Sequence, residues 1–226
     1  MTALEFMVER LRLSKKIDKI FIATTDNPAD KELVELCIQN GWHYYIGSEN
    51  DVMQRVCGLI DDFNFYNDTI IDLTSDCQLI CPEMIDSMLD EFHSYGYNFY
   101  SNTLTRSFFD GADIQIFDAD ILLSVNKIVE NEQHRTHIGW NIINNLGELQ
   151  NLFNLGIMVG NKSADDFMPE VRLVLDHPED LIVIKKIINY FNRIDFTYND
   201  IIDLIKRCPH ILDANSSKIS KIPGVD

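Results

Sequence analysis

Two aspartates, Asp76 and Asp176, each stand where a short apolar run breaks and a helix should begin. Their segments are Leu73-Thr74-Ser75-Asp76-Cys77-Gln78-Leu79-Ile80 and Arg172-Leu173-Val174-Leu175-Asp176-His177-Pro178-Glu179-Asp180. Parallel strands carry their chemistry at their carboxyl ends, where distant segments meet. Two carboxylates brought together there can share one hard cation, and that cation can hold a triphosphate. Each aspartate taken alone also suits a plain helix cap. Glu179 and Asp180 fall in a first helical turn, where acids favour the helix dipole, and are read as structural.

The elements that must position these residues follow from periodicity. Leu4, Met7, Val8 and Leu11 share one helical face, and residues 17–24 read as a buried strand. Thr25-Asp26-Asn27-Pro28 starts a helix that stops at Asn40-Gly41, and residues 42–46 form a short strand. Ser48 and Asp51 have capping-box spacing ahead of the next helix. Strands are expected at 69–74, 98–102, 113–117, 152–159 and 170–175, and helices at 82–95, 118–146, 178–191 and 197–207. Strand alternating with helix means an α/β fold with a doubly wound, mainly parallel sheet. No linker divides residues 1–212, so one domain is expected there, with a polar, loosely held tail over 213–226.

The 226 residues carry 19 basic and 36 acidic side chains, a net charge of −17. Such a surface repels nucleic-acid backbones, so no nucleic-acid partner is expected. No apolar run is long enough for a membrane span and no signal sequence follows Met1, so the chain is expected to be cytoplasmic with no membrane partner. The five cysteines are odd in number and scattered, which fits reduced, structural thiols. A phosphatase would need an acid where Thr74 follows Asp72-Leu73. Asp118-Ala119-Asp120 has the spacing of a glycosyltransferase D-x-D but reads as a helix start. His137 beside Arg135 suits a surface polar residue as well as a ligand, and Trp42 and Trp140 suit core or rim aromatics.

Six segments in order resemble the cytidylyltransferases that activate acidic and other unusual sugars. They are Ile22-Ala23-Thr24-Thr25-Asp26-Asn27-Pro28, Gly47-Ser48-Glu49-Asn50-Asp51-Val52, Thr74 to Ile80, Ser101-Asn102-Thr103-Leu104, Asp110-Gly111-Ala112-Asp113, and Leu175 to Leu181. The nearest pattern is the spore-coat polysaccharide type, related to acylneuraminate and ketodeoxyoctonate cytidylyltransferases. The resemblance implies a three-layer, Rossmann-like sheet of the nucleotide-diphospho-sugar transferase type. It implies transfer of a nucleotidyl group from CTP to a sugar or sugar acid, with pyrophosphate leaving. It puts Asp76 and Asp176 in the catalytic, Mg²⁺-holding role, and Gly47, Ser48 and Arg55 at the nucleotide. Arg106, Asp110, Gly111 and Asp113 would line the sugar side, with Arg135 and His137 near the same mouth. It also implies a homodimer, for which the stretch from Ile142 to Ile157 is the expected contact surface.

The family pattern opens with a strand and a glycine-rich basic loop, and Met1 to Glu5 aligns with the helix beyond that loop. The usual first strand is therefore expected to be missing. Strand 69–74 should then pair directly with strand 17–24, or both should receive a strand from another chain. Asp72, Ser75, Gln78, Cys81 and Gln115 stand where the family commonly has arginine, glycine, proline, aspartate and glutamate. An alternative reading is a non-catalytic relic or partner subunit that keeps a sugar- or metal-binding pocket. A glycosyltransferase on the same fold is a further one.

Overall fold

The computed structural model describes residues 1–129, 135–153, 156–166 and 168–218. Helix α1 (Ala3–Leu11) starts at a capping box, in which the Thr2 hydroxyl accepts from the Glu5 amide and the Glu5 carboxylate accepts from Thr2 N–H. Strand β1 (Phe21–Thr25), helix α2 (Lys31–Asn40) and strand β2 (His43–Gly47) follow, then helix α3 (Val52–Phe63) and strand β3 (Thr69–Asp72). Next come α4 (Pro82–Tyr95), β4 (Phe99–Ser101), β5 (Gln115–Asp118) and α5 (Ala119–Ile128). The chain continues through α6 (Ile138–Asn144), α7 (Leu146–Phe153), β6 (Val159–Asn161), α8 (Pro178–Phe191) and α9 (Tyr198–Arg207).

The strands form two sheets. β1 and β2 pair in parallel, Phe21 opposite His43 and Thr25 opposite Gly47. The second sheet has the order β3-β5-β4-β6. In it β5 runs antiparallel to β3 and to β4, while β4 and β6 are parallel. Only β5 runs against its sheet, so the fold is the expected α/β class. β1 and β3 do not pair with each other, so the direct pairing expected from the sequence is absent.

Two larger core clusters hold the layers, beside a small one of Val8, Cys37 and Trp42. The larger packs α1, α4, α8 and α9 through residues such as Leu11, Ile85, Ile187 and Ile202, and Ile71 of β3 faces it. The other packs α3, α5 and α6 through Ile60, Leu122 and Ile142, and Ile70 faces that one. Adjacent strand residues point to opposite faces, which is why one strand serves both clusters.

Several expectations are corrected. Residues 146–153 are helix, so the strand expected at 152–159 is confined to β6, while 154 and 155 lie outside the described residues. Residues 170–175 make only a bridge between Asp110 and Arg172. The tail is not loose as far as residue 218, because Asn215 is buried and donates to Arg172 O at 3.0 Å and to Asp180 at 2.9 Å. In the stretch from Ile142, the side chains of Ile142 and Leu149 are buried in the chain's own core and Ile157 is nearly covered. All five cysteines are free, and burial pushes the Cys57 and Cys81 thiols up to about 12. Among the described residues no helix is long and apolar enough to cross a membrane.

One buried cation pins α1 to the larger core. Arg10 is fully buried, donates to Ile80 O at 2.9 Å and Phe196 O at 3.0 Å, and also reaches Ile194 O. Its guanidinium lies 3.9 Å from the Phe196 ring centroid. Arg10→Ala leaves those buried carbonyls without donors, so chemical denaturation should register a loss of about 3 kcal/mol. A loss under about 1 kcal/mol would show that α1 is held by its apolar face alone.

Candidate active site at the acidic strand ends

A cleft of about 2210 Å³ opens between the two sheets and runs out past the carboxyl end of β3. Residues 73–76 leave β3 at its edge, and Asp76 lines it. The Asp76 carbonyl accepts a hydrogen bond from the Leu175 amide at 2.9 Å. That contact lays the two acidic segments side by side, as their sequences suggested.

Asp176 is not a free carboxylate. Its Oδ2 accepts from Arg172 at 2.7 Å, which leaves Oδ1 for another partner. Arg172 is buried and at the same time holds Asp180 at 3.0 Å and Asp110 at 3.3 Å. Burial alone would raise the Asp180 carboxyl. Arg172, Asn215 and the amides of His177 and Asp176 outweigh it and hold the carboxyl down at about 2. Asp180 also closes the first turn of α8, accepting from His177 N–H at 2.9 Å. It is structural, as its position in the sequence suggested.

The residues expected at the nucleotide gather around Arg55 on α3, which lines the cleft and donates to Ser48 O at 2.8 Å. A Cβ on Gly47 would stand 2.7 Å from Arg55 Cγ, so glycine is what lets this arginine close over the turn. Ser48 is not the helix cap. Its hydroxyl accepts from Asp51 N–H, while Asp51 caps α3 through the Gln54 amide at 2.8 Å. Arg135 is buried and grips Asp51 at 2.6 Å together with Asn126 and the Val129 carbonyl. It therefore fixes the start of α3 instead of standing at the mouth. His137 does line the cleft.

On the opposite side Arg106 and Asp113 line the cleft and form a two-pronged pair at 2.8 Å on each prong. Asp110 turns inward to Arg172 and lies within 3.6 Å of Arg106. Gly111 has φ +106°, and a Cβ there would meet the Leu173 carbonyl at 2.6 Å, so its role is close approach of two backbones. The loop from Thr103 to Gly111 is anchored, because Phe108 and Phe109 are buried against Tyr198.

Sequence reasoning missed two groups. Gln78 and Gln115 look like departures from a family pattern, yet both line the cleft with a buried side-chain oxygen that has no partner among the described residues. The Nε of Arg55 is likewise without one. Buried polar atoms cost stability unless satisfied, so a polar occupant of the cleft has ready partners. Asp72, the residue in place of arginine, is half-buried in the cleft wall. Burial pushes its carboxyl up to about 6, with Arg55 pulling the other way. Asp118 accepts from Asn98 at 2.9 Å at the junction of β5 and α5, away from the cleft lining, so it does not act as a D-x-D.

A cleft at the strand ends of an α/β fold, with a few polar groups set in a mainly apolar lining, defines a class of small-molecule-binding proteins. Within it the chain belongs to the cytidylyltransferase family, whose model matches residues 2–206. It is 29% identical over 217 residues to an uncharacterized protein of Methanocaldococcus jannaschii, covering 95% of this chain and 84% of that one. It is 28% identical over 213 residues to the spore coat polysaccharide biosynthesis protein SpsF of Bacillus subtilis, covering 91% and 84%. A cytidylyltransferase structure from Leptospira borgpetersenii superposes with a TM-score of 0.83 at 30% identity, over 98% of this chain and 88% of that one. A CMP:2-keto-3-deoxy-manno-octonic acid synthetase shares the fold, with a TM-score of 0.54 at 14% identity over 83% and 88%.

Asp180 and Asp72 should respond to pH in opposite senses. Asp180 sits at about 2 when folded, below the ordinary 3.8, so its stabilisation is present above about pH 4 and is lost as pH falls toward 2. Asp180→Asn should cost about 2–3 kcal/mol at pH 7 and progressively less in acid. Asp72 sits at about 6, above 3.8, so the folded state loses stability as pH rises through that window. Asp72→Asn should gain about 1–2 kcal/mol at pH 7, an advantage that vanishes below about pH 4. Urea titrations of both variants from acid to neutral pH check the two signs.

Proposed function

We propose that the cleft binds CTP and a sugar or sugar acid, and that the chain serves nucleotidyl transfer to the sugar with release of pyrophosphate, in polysaccharide biosynthesis. The observation that carries this reading is the 2.9 Å contact between Asp76 O and Leu175 N–H, which sets two acidic segments side by side at the cleft in a chain of this family. In the reaction a sugar oxygen forms a bond to the α-phosphorus as the bond to the bridging oxygen of pyrophosphate breaks. A hydroxyl nucleophile gives up its proton in the process. Little covalent chemistry falls to the protein, and positioning with charge neutralisation does most of the work.

Asp76 and the Asp176 oxygen that Arg172 does not hold are the carboxylates that would take Mg²⁺, which is commonly bound by one or two carboxylates plus phosphate oxygens. When bound, the ion neutralises phosphate charge. Arg55 offers an unpartnered Nε to an anion from the nucleotide side. Arg106, held flat by Asp113, and His137 face the sugar side. Asp110, Gly111 and Arg135 act through the residues they position. The unpaired edges of β1 and β3 favour a second reading, a subunit completed by a partner.

Asp76→Asn should weaken CTP binding at least about tenfold in the presence of Mg²⁺ and leave binding in EDTA unchanged, because only the cation-dependent contribution is removed. Calorimetric titration measures both, and thermal unfolding should stay within about 2 °C of the parent. Equal binding by parent and variant in Mg²⁺ would remove Asp76 from the site.

A further inference from the structure

The segment that follows α9 carries a cation to the cleft. After Arg207 a 3₁₀ turn (Pro209–Leu212) seats Ile211 in the larger core cluster, with Leu212 and Ala214 packed against it. Asn215 is buried, and its amide donates to the Arg172 carbonyl at 3.0 Å and to Asp180 at 2.9 Å. The Lys218 amide in turn donates to Asn215 O at 2.9 Å. The backbone at Lys218 is therefore tied to the same Asp180 that accepts from the amides of Asp176 and His177. Lys218 is only half-buried, and it lines the cleft together with Leu175 and Asp76.

The Lys218 ammonium is held loosely. Its partner is Glu179 in the first turn of α8, at 3.4 Å, with 29% of the lysine side chain and 41% of the glutamate exposed. An ion pair so exposed is weak, because water screens it. Arg106 is held differently: Asp113 grips it by two bonds and Asp110 lies at 3.6 Å. An ammonium on a flexible four-carbon stem can exchange one exposed carboxylate for a more highly charged oxyanion. A phosphate fits that description better than a sugar carboxylate. Lys218 is tied to the Asp176 segment, where phosphate oxygens would meet the cation, and Arg106 stands toward the sugar side.

We propose that Lys218 leaves Glu179 when nucleotide binds and donates to a phosphate oxygen of CTP. Glu179 is then a holding partner, which keeps the ammonium at the cleft wall until the phosphate arrives. Asn215 sets the reach of the lysine by fixing the backbone three residues before it. This rests on the nucleotidyl-transfer reading and adds to it a phosphate-binding residue from the segment behind α9.

The test is calorimetric titration of the full 226-residue chain with CTP, with cytidine and with inorganic pyrophosphate, each in the presence of Mg²⁺. Lys218→Gln should weaken binding of CTP and of pyrophosphate at least about tenfold, the loss of a charge-assisted bond, and leave cytidine within about twofold. Lys218→Arg should recover most of the loss, because it keeps the charge. Glu179→Gln should tighten CTP binding about two- to threefold, because the ammonium no longer has a carboxylate to leave. A lysine that merely braces α8 would instead make the two neutral variants weaken binding alike. Thermal unfolding of Lys218→Gln should stay within about 2 °C of the parent. Unchanged CTP affinity in Lys218→Gln overturns the proposal. So does an equal loss in Glu179→Gln, or a loss that extends to cytidine. A parent that binds CTP no better than Lys218→Gln does removes this inference alone, whereas a parent that binds neither CTP nor pyrophosphate removes the nucleotidyl-transfer reading as well.

Discussion

The Arg172 guanidinium lies buried among three carboxylates, Asp110, Asp176 and Asp180, and the candidate site depends on that cluster. A buried cation is costly unless paired and fully hydrogen-bonded, and this one is paired with three separate parts of the chain. Asp110 belongs to the loop after β4, Asp176 to the second acidic segment, and Asp180 to the first turn of α8. Arg106 extends the chain of charges to Asp113 in the cleft. The loop after β4, the second acidic segment and the first turn of α8 are thus registered against one another through a single side chain. Removing it would leave three acids facing each other.

How far the sequence carried depended on whether an interaction is local. Pro82 at the start of α4 and Gly96 at φ +70° beyond its end are punctuation that the chain writes in one place. α8 likewise runs from Pro178 to an asparagine in the left-handed region. The segment after Met168 misled because Val171, Leu173 and Val174 mimic a strand. Its backbone instead makes two bonds with Asp110 and one with Asp76, and the Arg172 side chain holds it. An arginine inside an apolar run was the available signal, since such a residue is almost never fully buried without acidic partners.

Within the site, Asp76, Arg55, Arg106, Asp113 and His137 were legible as cleft residues. Asp110 and Arg135 were legible as important but not as buried positioning groups, because their partners Arg172 and Asp51 lie 62 and 84 positions away. Gln78 and Gln115 carried no signal of their own. A glutamine acceptor becomes notable only when its surroundings leave it unpaired. The open edges in the middle layer were anticipated as a problem of unpaired backbone, and β1 and β3 do not pair with each other.

The account turns on one claim, that Asp76 and Asp176 share a cation that meets the nucleotide in the cleft. Crystals grown with Mn²⁺ and CTP, measured at a wavelength where manganese scatters anomalously, address it directly. The account predicts one anomalous peak within about 2.3 Å of a carboxylate oxygen from each aspartate, with Asp176 still bonded to Arg172 and phosphate density on the Arg55 side. Manganese bound elsewhere, or CTP in the cleft with neither carboxylate near the ion, would contradict it.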